Sequence, residues 1–158
     1  MTGENRQLDA KEISVGRLLN DGDYEFVIPE YQRPYAWGVE ETLQLLSDLL
    51  GALERDTDDP YFLGSVVLVK DPNNPRAEVI DGQQRLTTLT LLLSLLRDLA
   101  TDDELRRDIH RLIEEPAVGW EDKAARPRLA LRPRDNQFFL EYVQQQGSTL
   151  GLVGLSNN

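Results

Sequence analysis

Three large polar side chains follow a single glycine in Asp81-Gly82-Gln83-Gln84-Arg85, between an apolar run and a leucine-rich segment. This order predicts the end of a strand, a tight turn and the start of a long helix. The first turn of a helix leaves backbone N–H groups unpaired and carries a partial positive charge, so it attracts anions. Arg85 adds a cation whose forked donors suit phosphate oxygens. These residues therefore favour binding of a phosphate-bearing ligand.

Two interpretations of this turn are open. Asp81 and Gln84 have the spacing of a capping box, in which case the turn only begins a helix. In the functional interpretation, Gly82 lets the backbone approach a phosphate and Arg85 neutralises it. Gln83 and Gln84 then donate to phosphate oxygens or orient a water molecule. Asp81 is the candidate to hold Mg²⁺ or to act as a base, so Asp81, Gln84 and Arg85 are the catalytic candidates.

A second dense group of polar residues lies upstream, in Ile28 to Trp37. Gln32 and Arg33 are predicted to form the second wall of the same phosphate-binding pocket. The alternative is that Arg33 only pairs with a nearby carboxylate, Glu30 or Asp81.

The same stretch is rich in aromatic residues. Tyr31 and Tyr35 are candidates to stack on a base of DNA, and Trp37 has the same chemistry. Aromatic residues beside a strand also pack into cores, which is the alternative for Trp37.

One dense group of cations is present, and its members are Lys123, Arg126, Arg128, Arg132 and Arg134. Lys123, Arg128 and Arg132 are candidates to contact DNA phosphates. A solvated edge is the alternative. His110, among arginines on a charged segment, is predicted to be a solvated surface residue.

Composition limits the function. The chain of 158 residues has 28 acidic and 17 basic side chains, and its net charge of -11 argues against a surface that coats nucleic acid indiscriminately. It has no cysteine and one histidine, which excludes thiol chemistry, cysteine-based zinc sites and histidine-rich metal sites. The polar N-terminus and the absence of a membrane-length apolar run predict a soluble cytoplasmic protein without membrane partners.

Apolar periodicity and turn residues predict an α+β fold. Helices are predicted for Ser14–Leu19, Val39–Arg55, Gln83–Ala100, Asp103–Glu115 and Asp135–Gln145, and strands for Tyr24–Ile28, Tyr61–Val69, Ala77–Ile80 and Arg128–Leu131. The turn-prone residues between the second and third strands predict a hairpin. Residues 1–146 are predicted to form one domain, and residues 147–158 a flexible tail or the truncated start of a C-terminal region.

Two motifs carry a family resemblance. Ile-Pro-x-Tyr-Gln-Arg-x-Tyr-x-Trp at residues 28–37 and Asp-Gly-Gln-Gln-Arg-Leu-Thr-Thr-Leu at residues 81–89 resemble the paired signatures of the GmrSD-type restriction-enzyme N-terminal domain family. The resemblance extends roughly from Ile13 to Val143. It implies a ParB/sulfiredoxin-like fold, in which several helices pack on a small mixed sheet.

The resemblance also implies a function. It predicts a nucleotide-binding, NTP-hydrolysing regulatory domain of a modification-dependent DNA restriction protein in anti-phage defence, with Gly82 to Arg85 holding the phosphates. The implied cofactors are Mg²⁺ and a nucleoside triphosphate. The implied partners are modified DNA and a C-terminal nuclease domain or subunit that this chain does not contain. The alternatives are a non-catalytic nucleotide- or DNA-sensing module like ParB-like clamps, and an interaction scaffold. Association into a homo-oligomer is left open.

Overall fold

The computed structural model describes residues 7–55 and 58–153. Its helices are α1 (Val15–Asn20), α2 (Val39–Glu54), α3 (Gln83–Leu99), α4 (Asp103–Ile113), α5 (Pro133–Phe139) and α6 (Ser148–Val153). Its strands are β1 (Glu25–Val27), β2 (Val67–Lys70), β3 (Arg76–Asp81), β4 (Glu114–Glu115), β5 (Arg126–Pro127) and β6 (Leu129–Ala130). None of the helices in this part of the chain has the length and apolar character needed to cross a membrane.

The main sheet is small and mixed. Its strand order is β2-β3-β1-β6, with β2 antiparallel to β3 and with β1 parallel to both β3 and β6. The short strands β4 and β5 form a separate antiparallel pair. The fold is therefore α+β, as predicted, and the hairpin of β2 and β3 is confirmed. Its specific likeness to ParB and sulfiredoxin stays a prediction.

The core lies between the sheet and the helices. Ala77 and Val79 alternate along β3 and face inward, where they meet Phe26 of β1 and Leu86 of α3. The period of two along β3 and the helical period along α3 bring these side chains into one cluster. The core thus holds the end of β3 and the start of α3 in a fixed relation, and the Asp81–Arg85 turn joins them.

Leu86→Ala should destabilise the fold by about 2–5 kcal/mol, because Leu86 is buried in this cluster and its removal leaves a cavity. Urea unfolding monitored by circular dichroism measures this loss. The control is Leu105→Ala on α4, where the leucine is exposed and the change should be within about 0.5 kcal/mol. Equal midpoints for the two variants would contradict the described core.

The buried face of α3 is more polar than its leucine content suggests. Thr87, Thr88 and Thr90 are buried, and each hydroxyl donates to the backbone carbonyl four residues earlier. This local bond satisfies the hydroxyl and allows burial without a distant partner. Leu96 and Leu99 are exposed instead. The helix is central as predicted, but leucines do not cover all of its buried surface.

Several predicted boundaries differ from the structure. The strand predicted from Tyr61 begins only at Val67, after Gly64 with a φ of 124°. The last predicted helix begins at Pro133, which suits a first helical position, and continues as a π-helical turn over Leu140–Gln144. The tail predicted from residue 147 contains α6, whereas residues 154–158 lie outside the described part of the chain.

Candidate functional site

The turn between β3 and α3 depends on Gly82. Its φ of 94° is left-handed, and a Cβ at this position would lie 3.0 Å from Val66 Cγ2 and 3.1 Å from the carbonyl oxygen of Ser65. Only glycine combines this backbone conformation with such close packing. The turn therefore places the start of α3 directly beside the residues that lead into β2.

The start of α3 has no side-chain cap. Asp81 is the last residue of β3, and its Oδ1 accepts a hydrogen bond of 2.9 Å from the N–H of Gly82, the N-cap residue. The capping-box interpretation is therefore wrong, because Asp81 stands one position too early. The Asp81 carboxylate is exposed, beside a helix start that no side chain of the described residues caps. Such a helix start presents N–H donors to an anion.

The two sequence motifs meet through their glutamines. Gln83 is buried, and its Nε2 donates to Oε1 of Gln32 at 3.2 Å. Gln32 Nε2 in turn donates to the carbonyl of Ile80, also at 3.2 Å. Arg132 Nη1 donates to the backbone carbonyl of Gln32. Both side-chain amides are thus used to bring the upstream motif against the turn.

Gln84 holds the segment that follows Gln32. Its Oε1 accepts from the N–H groups of Ala36 and Trp37 at 2.8 and 3.2 Å, and its Nε2 donates to the carbonyl of Pro34 at 3.3 Å. The side chain therefore binds protein backbone at both ends of its amide. This geometry makes Gln84 a positioning residue, and its predicted catalytic role stays a prediction.

The aromatic residues of the upstream motif lie in different environments. Tyr35 makes a hydrogen bond of 2.9 Å with Oγ1 of Thr88, whose own proton goes to a backbone carbonyl. Tyr35 is therefore the donor. Trp37 is half-buried, whereas Tyr31 is 72 % exposed. Of these residues, Tyr31 offers the ring surface that a base could reach without rearrangement.

A small cleft lies between the upstream motif and α3. Its lining includes Arg33, Gln83, Gln84, Arg132 and Asp135. The cavity measures about 10 Å³, which is room for one water molecule and not for a nucleotide. Arg33 thus lies beside Gln83 and Gln84, in a cleft that has no room for a nucleotide within the described part of the chain.

Arg85 does not line this cleft. Its guanidinium lies against the backbone of Gly64, where a Cβ would come within 2.8 Å of Arg85 Cζ. Its Nε is buried and has no hydrogen-bond partner among the described residues. Tyr61 lies nearby; burial raises the pKa of its hydroxyl, the neighbouring Asp48 raises it further, and Arg55 and Arg85 oppose the rise. Arg85 is therefore a half-buried cation with unused donor capacity.

The predicted DNA-binding cations are mostly engaged within the domain. Arg128 is buried and donates from Nε to the carbonyl of Arg111 at 2.6 Å, and burial lowers the pKa of its guanidinium. Arg132 pairs with Asp135 at 2.9 Å. Lys123 pairs with Glu121 at 2.8 Å on the surface. These three residues do not form one continuous basic face, and their contact with DNA stays a prediction.

A metal would rely on few protein ligands. In residues 7–55 and 58–153, no group of three or more His, Cys, Asp or Glu side chains is arranged to hold a metal ion. Mg²⁺ commonly binds one or two carboxylates together with substrate phosphates and water. The exposed Asp81 carboxylate fits that arrangement, provided that a phosphate ligand supplies further oxygens.

A buried polar cluster on the far half of α3 was missed by the sequence reasoning. Arg97 is fully buried; its Nε donates to Asp98 at 2.8 Å, and its other nitrogens donate to the carbonyls of the residues that end the π-helical turn, Val143, Gln144 and Gln145. The last carbonyls of a helix lack partners within that helix, so the guanidinium satisfies those of Val143 and Gln144 and shares that of Gln145 with Ser148. An Arg-Asp pair inside a leucine-rich helix is the signal that could have indicated this cluster.

His110 belongs to the same cluster. Its Nδ1 lies 3.2 Å from Arg97 Nη1, and since arginine only donates, the histidine nitrogen accepts. Its Nε2 faces Glu114 Oε1 at 3.4 Å. The prediction of a solvated surface histidine is therefore wrong.

Comparison with known proteins supports the family suggested by the motifs. No curated protein matches the chain significantly. Residues 15–152 match the sequence model of the family described as GmrSD restriction endonuclease, N-terminal domain. The match includes both motifs and every helix and strand except the last residue of α6. Because it covers most of the chain, this protein belongs to the GmrSD restriction endonuclease N-terminal domain family and is a domain of a restriction protein.

Proposed function

We propose that this domain binds a nucleoside triphosphate at the start of α3 and hydrolyses it to regulate restriction of modified DNA. The observation that carries the proposal is the Arg85 guanidinium, whose Nε has no hydrogen-bond partner among residues 7–55 and 58–153, beside a helix start that none of their side chains caps. Arg85 is half-buried, so the exposed part of its side chain can bind an anionic ligand, and a charge-assisted hydrogen bond to it would be favourable. The N–H groups of the first turn would bind the same ligand.

Each residue of the turn has a distinct role in this proposal. Gly82 forms the sharp turn that leads into the first turn of α3, because any side chain here would meet Ser65 and Val66. Arg85 neutralises phosphate charge from the side of Gly64 and stabilises the charge that develops during transfer. Asp81 accepts a proton from the attacking water or holds the metal. Bound Mg²⁺ would neutralise phosphate oxygens and orient them for attack.

In this proposal Gln83, Gln84 and Arg33 hold the site in position and do not contact the phosphates. Gln83 and Gln84 already bind other parts of the chain, and the cleft that they share with Arg33 has room for about one water molecule. In this proposal the phosphates lie outside the cleft, on the side of the turn where Arg85 meets Gly64. Gln32 and Arg33, which were predicted to contact the nucleotide, instead support the residues of this site from behind.

DNA contact in the same proposal relies on exposed residues. Tyr31 is available to stack on a base, and Lys123 to approach a backbone phosphate. Arg132 is less available because of its pairing with Asp135, and the buried Arg128 is the least available of the predicted set.

Incubation of the chain with ribonucleoside triphosphates and Mg²⁺ tests the proposal. Released phosphate together with a raised melting temperature is the expected result. A raised melting temperature without phosphate release would favour a sensing module instead. If no nucleotide changes the melting temperature and no phosphate is released, the proposal is wrong.

Asp81→Asn separates binding from hydrolysis. The substitution keeps the hydrogen bond to the N–H of Gly82 but removes the negative charge, so the fold and triphosphate affinity should persist. Hydrolysis should fall by roughly 100-fold, as expected when a base or a metal ligand is lost. The measurement is the rate of phosphate release at saturating nucleotide. Asp71→Asn, in the exposed turn between β2 and β3, is the control and should hydrolyse at the parent rate.

A further inference from the structure

Helix α2 has an apolar stripe on the side that faces solvent. Its members are between 36 % and 80 % exposed, although they are large aliphatic residues: Val39, Leu43, Leu46, Leu50 and Leu53. We refer to these five residues as the outer stripe. Contiguous exposed apolar patches of this kind mark interaction sites.

The body of the domain uses a different side of α2. Leu45 is buried, and Asp48 and Ala52 are half-buried. At 100° per residue these positions lie roughly opposite the outer stripe. The helix therefore has two apolar sides, of which the domain covers one.

The spacing of the outer stripe specifies the shape of its partner. Consecutive members are separated by four, three, four and three residues. This is the a/d pattern of a coiled-coil seam, which accepts knobs from another helix along its whole length. A strand or an irregular loop would not match this repeat.

Charge specifies the chemistry of the partner. Helix α2 contains four acidic residues, Glu40, Glu41, Asp48 and Glu54, and no lysine or arginine. Glu40 and Glu54 flank one edge of the outer stripe, at positions where coiled coils place their interhelical ion pairs. A second copy of α2 would bring acid against acid when antiparallel and no opposite charge when parallel, whereas basic flanks would be attracted.

We propose that the outer stripe of α2 is the docking site for an amphipathic helix with a leucine-type seam and basic flanking residues. The partner helix pairs with α2 as a two-stranded coiled coil, and its lysines or arginines lie opposite Glu40 and Glu54. The outer stripe shares no residue with the proposed nucleotide site, so loss of peptide binding and loss of hydrolysis are separate results.

Fluorescence anisotropy with two synthetic helices tests this proposal. Both peptides span about three heptads with leucine at the a and d positions, and they differ only in lysine or glutamate at e and g. The chain should bind the lysine peptide saturably and the glutamate peptide at least roughly tenfold more weakly. Equal affinity for the two peptides, or no binding of the lysine peptide, would overturn the proposal.

Matched variants locate the site. The double variant Leu43→Ser, Leu50→Ser should lose the lysine peptide, whereas Leu105→Ser, at a similarly exposed leucine on α4, should bind it normally. The double variant Glu40→Lys, Glu54→Lys should reverse the preference between the peptides, a result that a folding defect cannot produce. Normal binding by the serine variant overturns the proposal. So does sedimentation showing a dimer of the chain that the serine substitutions dissociate, because the occupant would then be a second copy.

Discussion

Asp98→Asn is expected to destabilise the domain by about 3–5 kcal/mol, because it leaves the fully buried Arg97 guanidinium without its counter-charge. Asp98 also accepts hydrogen bonds from the N–H of Gly147 at 2.9 Å and from the hydroxyl of Thr149 at 2.6 Å. The substitution therefore loosens α6 as well as the arginine. Urea unfolding at neutral pH gives the loss as a shift in midpoint at constant m-value.

The control for Asp98→Asn is Asp108→Asn on α4. Asp108 is exposed and lies 3.9 Å from Arg111, so its pair should contribute less than about 1 kcal/mol. A similar midpoint for both variants would mean that the Arg97 cluster contributes no more than a surface ion pair.

The effect of Asp98→Asn on the free energy of unfolding should depend on pH. Burial alone would raise the pKa of Asp98, but the hydrogen bonds from Arg97, Thr149 and Gly147 outweigh it and lower the pKa from 3.8 to about 2. A carboxylate with a lowered pKa in the folded state stabilises the fold above its unfolded pKa. That contribution, about 2 kcal/mol, is lost as the pH falls from about 4 to about 2. The stability difference between the parent and Asp98→Asn should therefore shrink over this interval and be constant above it.

Arg85→Ala is expected to reduce triphosphate affinity by at least about 100-fold, because charge-assisted hydrogen bonds contribute roughly 1.5–3 kcal/mol each. The fold should persist, since the buried Nε of Arg85 binds nothing within the described residues. Isothermal titration calorimetry measures the affinity, and Arg76→Ala, at an exposed arginine of β3, is the control. Unchanged affinity in Arg85→Ala would contradict the proposed nucleotide site.

Two further variants separate the charge of Arg85 from its placement. Arg85→Lys keeps the charge but loses the forked donors, so it should restore binding only in part. Gly64→Ala leaves Arg85 intact but places a Cβ within 2.8 Å of its Cζ, so the guanidinium must move. Weaker binding in Gly64→Ala would show that the position of the guanidinium matters. Because Gly64 has a φ of 124°, alanine at this position is strained. The melting temperature of the Gly64→Ala variant must therefore be measured in parallel.

Local signals in the sequence predicted the frame of the site correctly. Gly82 indicated the turn, and the turn-forming residues at positions 71–75 indicated the hairpin of β2 and β3. The capping box was wrong because spacing alone does not say which residue of the turn is the N-cap. The left-handed Gly82 takes that position, and Gln84 finds better partners in the backbone of residues 34–37. Those partners lie about 50 residues away in sequence, so no local pattern contains them.

The burial of Arg128 and the contact of His110 with Arg97 were not predicted from the sequence, and the cause is the same for both. Arg128 and His110 are surrounded by charged residues in sequence, which predicts solvent exposure. In the fold, Arg128 donates to a carbonyl of α4, and His110 accepts from Arg97 of α3. Both residues satisfy polar groups at element ends that only the tertiary structure brings together.

The side chain of Gln84 hydrogen-bonds to the backbone of Pro34, Ala36 and Trp37, and α2 begins two residues after Trp37. The start of α3 and the start of α2 are therefore connected and should move together. If an anion reorients the first turn of α3, it must also move the start of α2 or break these hydrogen bonds. Linkage then requires reciprocity: a helix bound along α2 changes nucleotide affinity by the same factor by which nucleotide changes the affinity of that helix. Through the hydrogen bonds of Gln84, occupancy of one site would thereby change the affinity of the other.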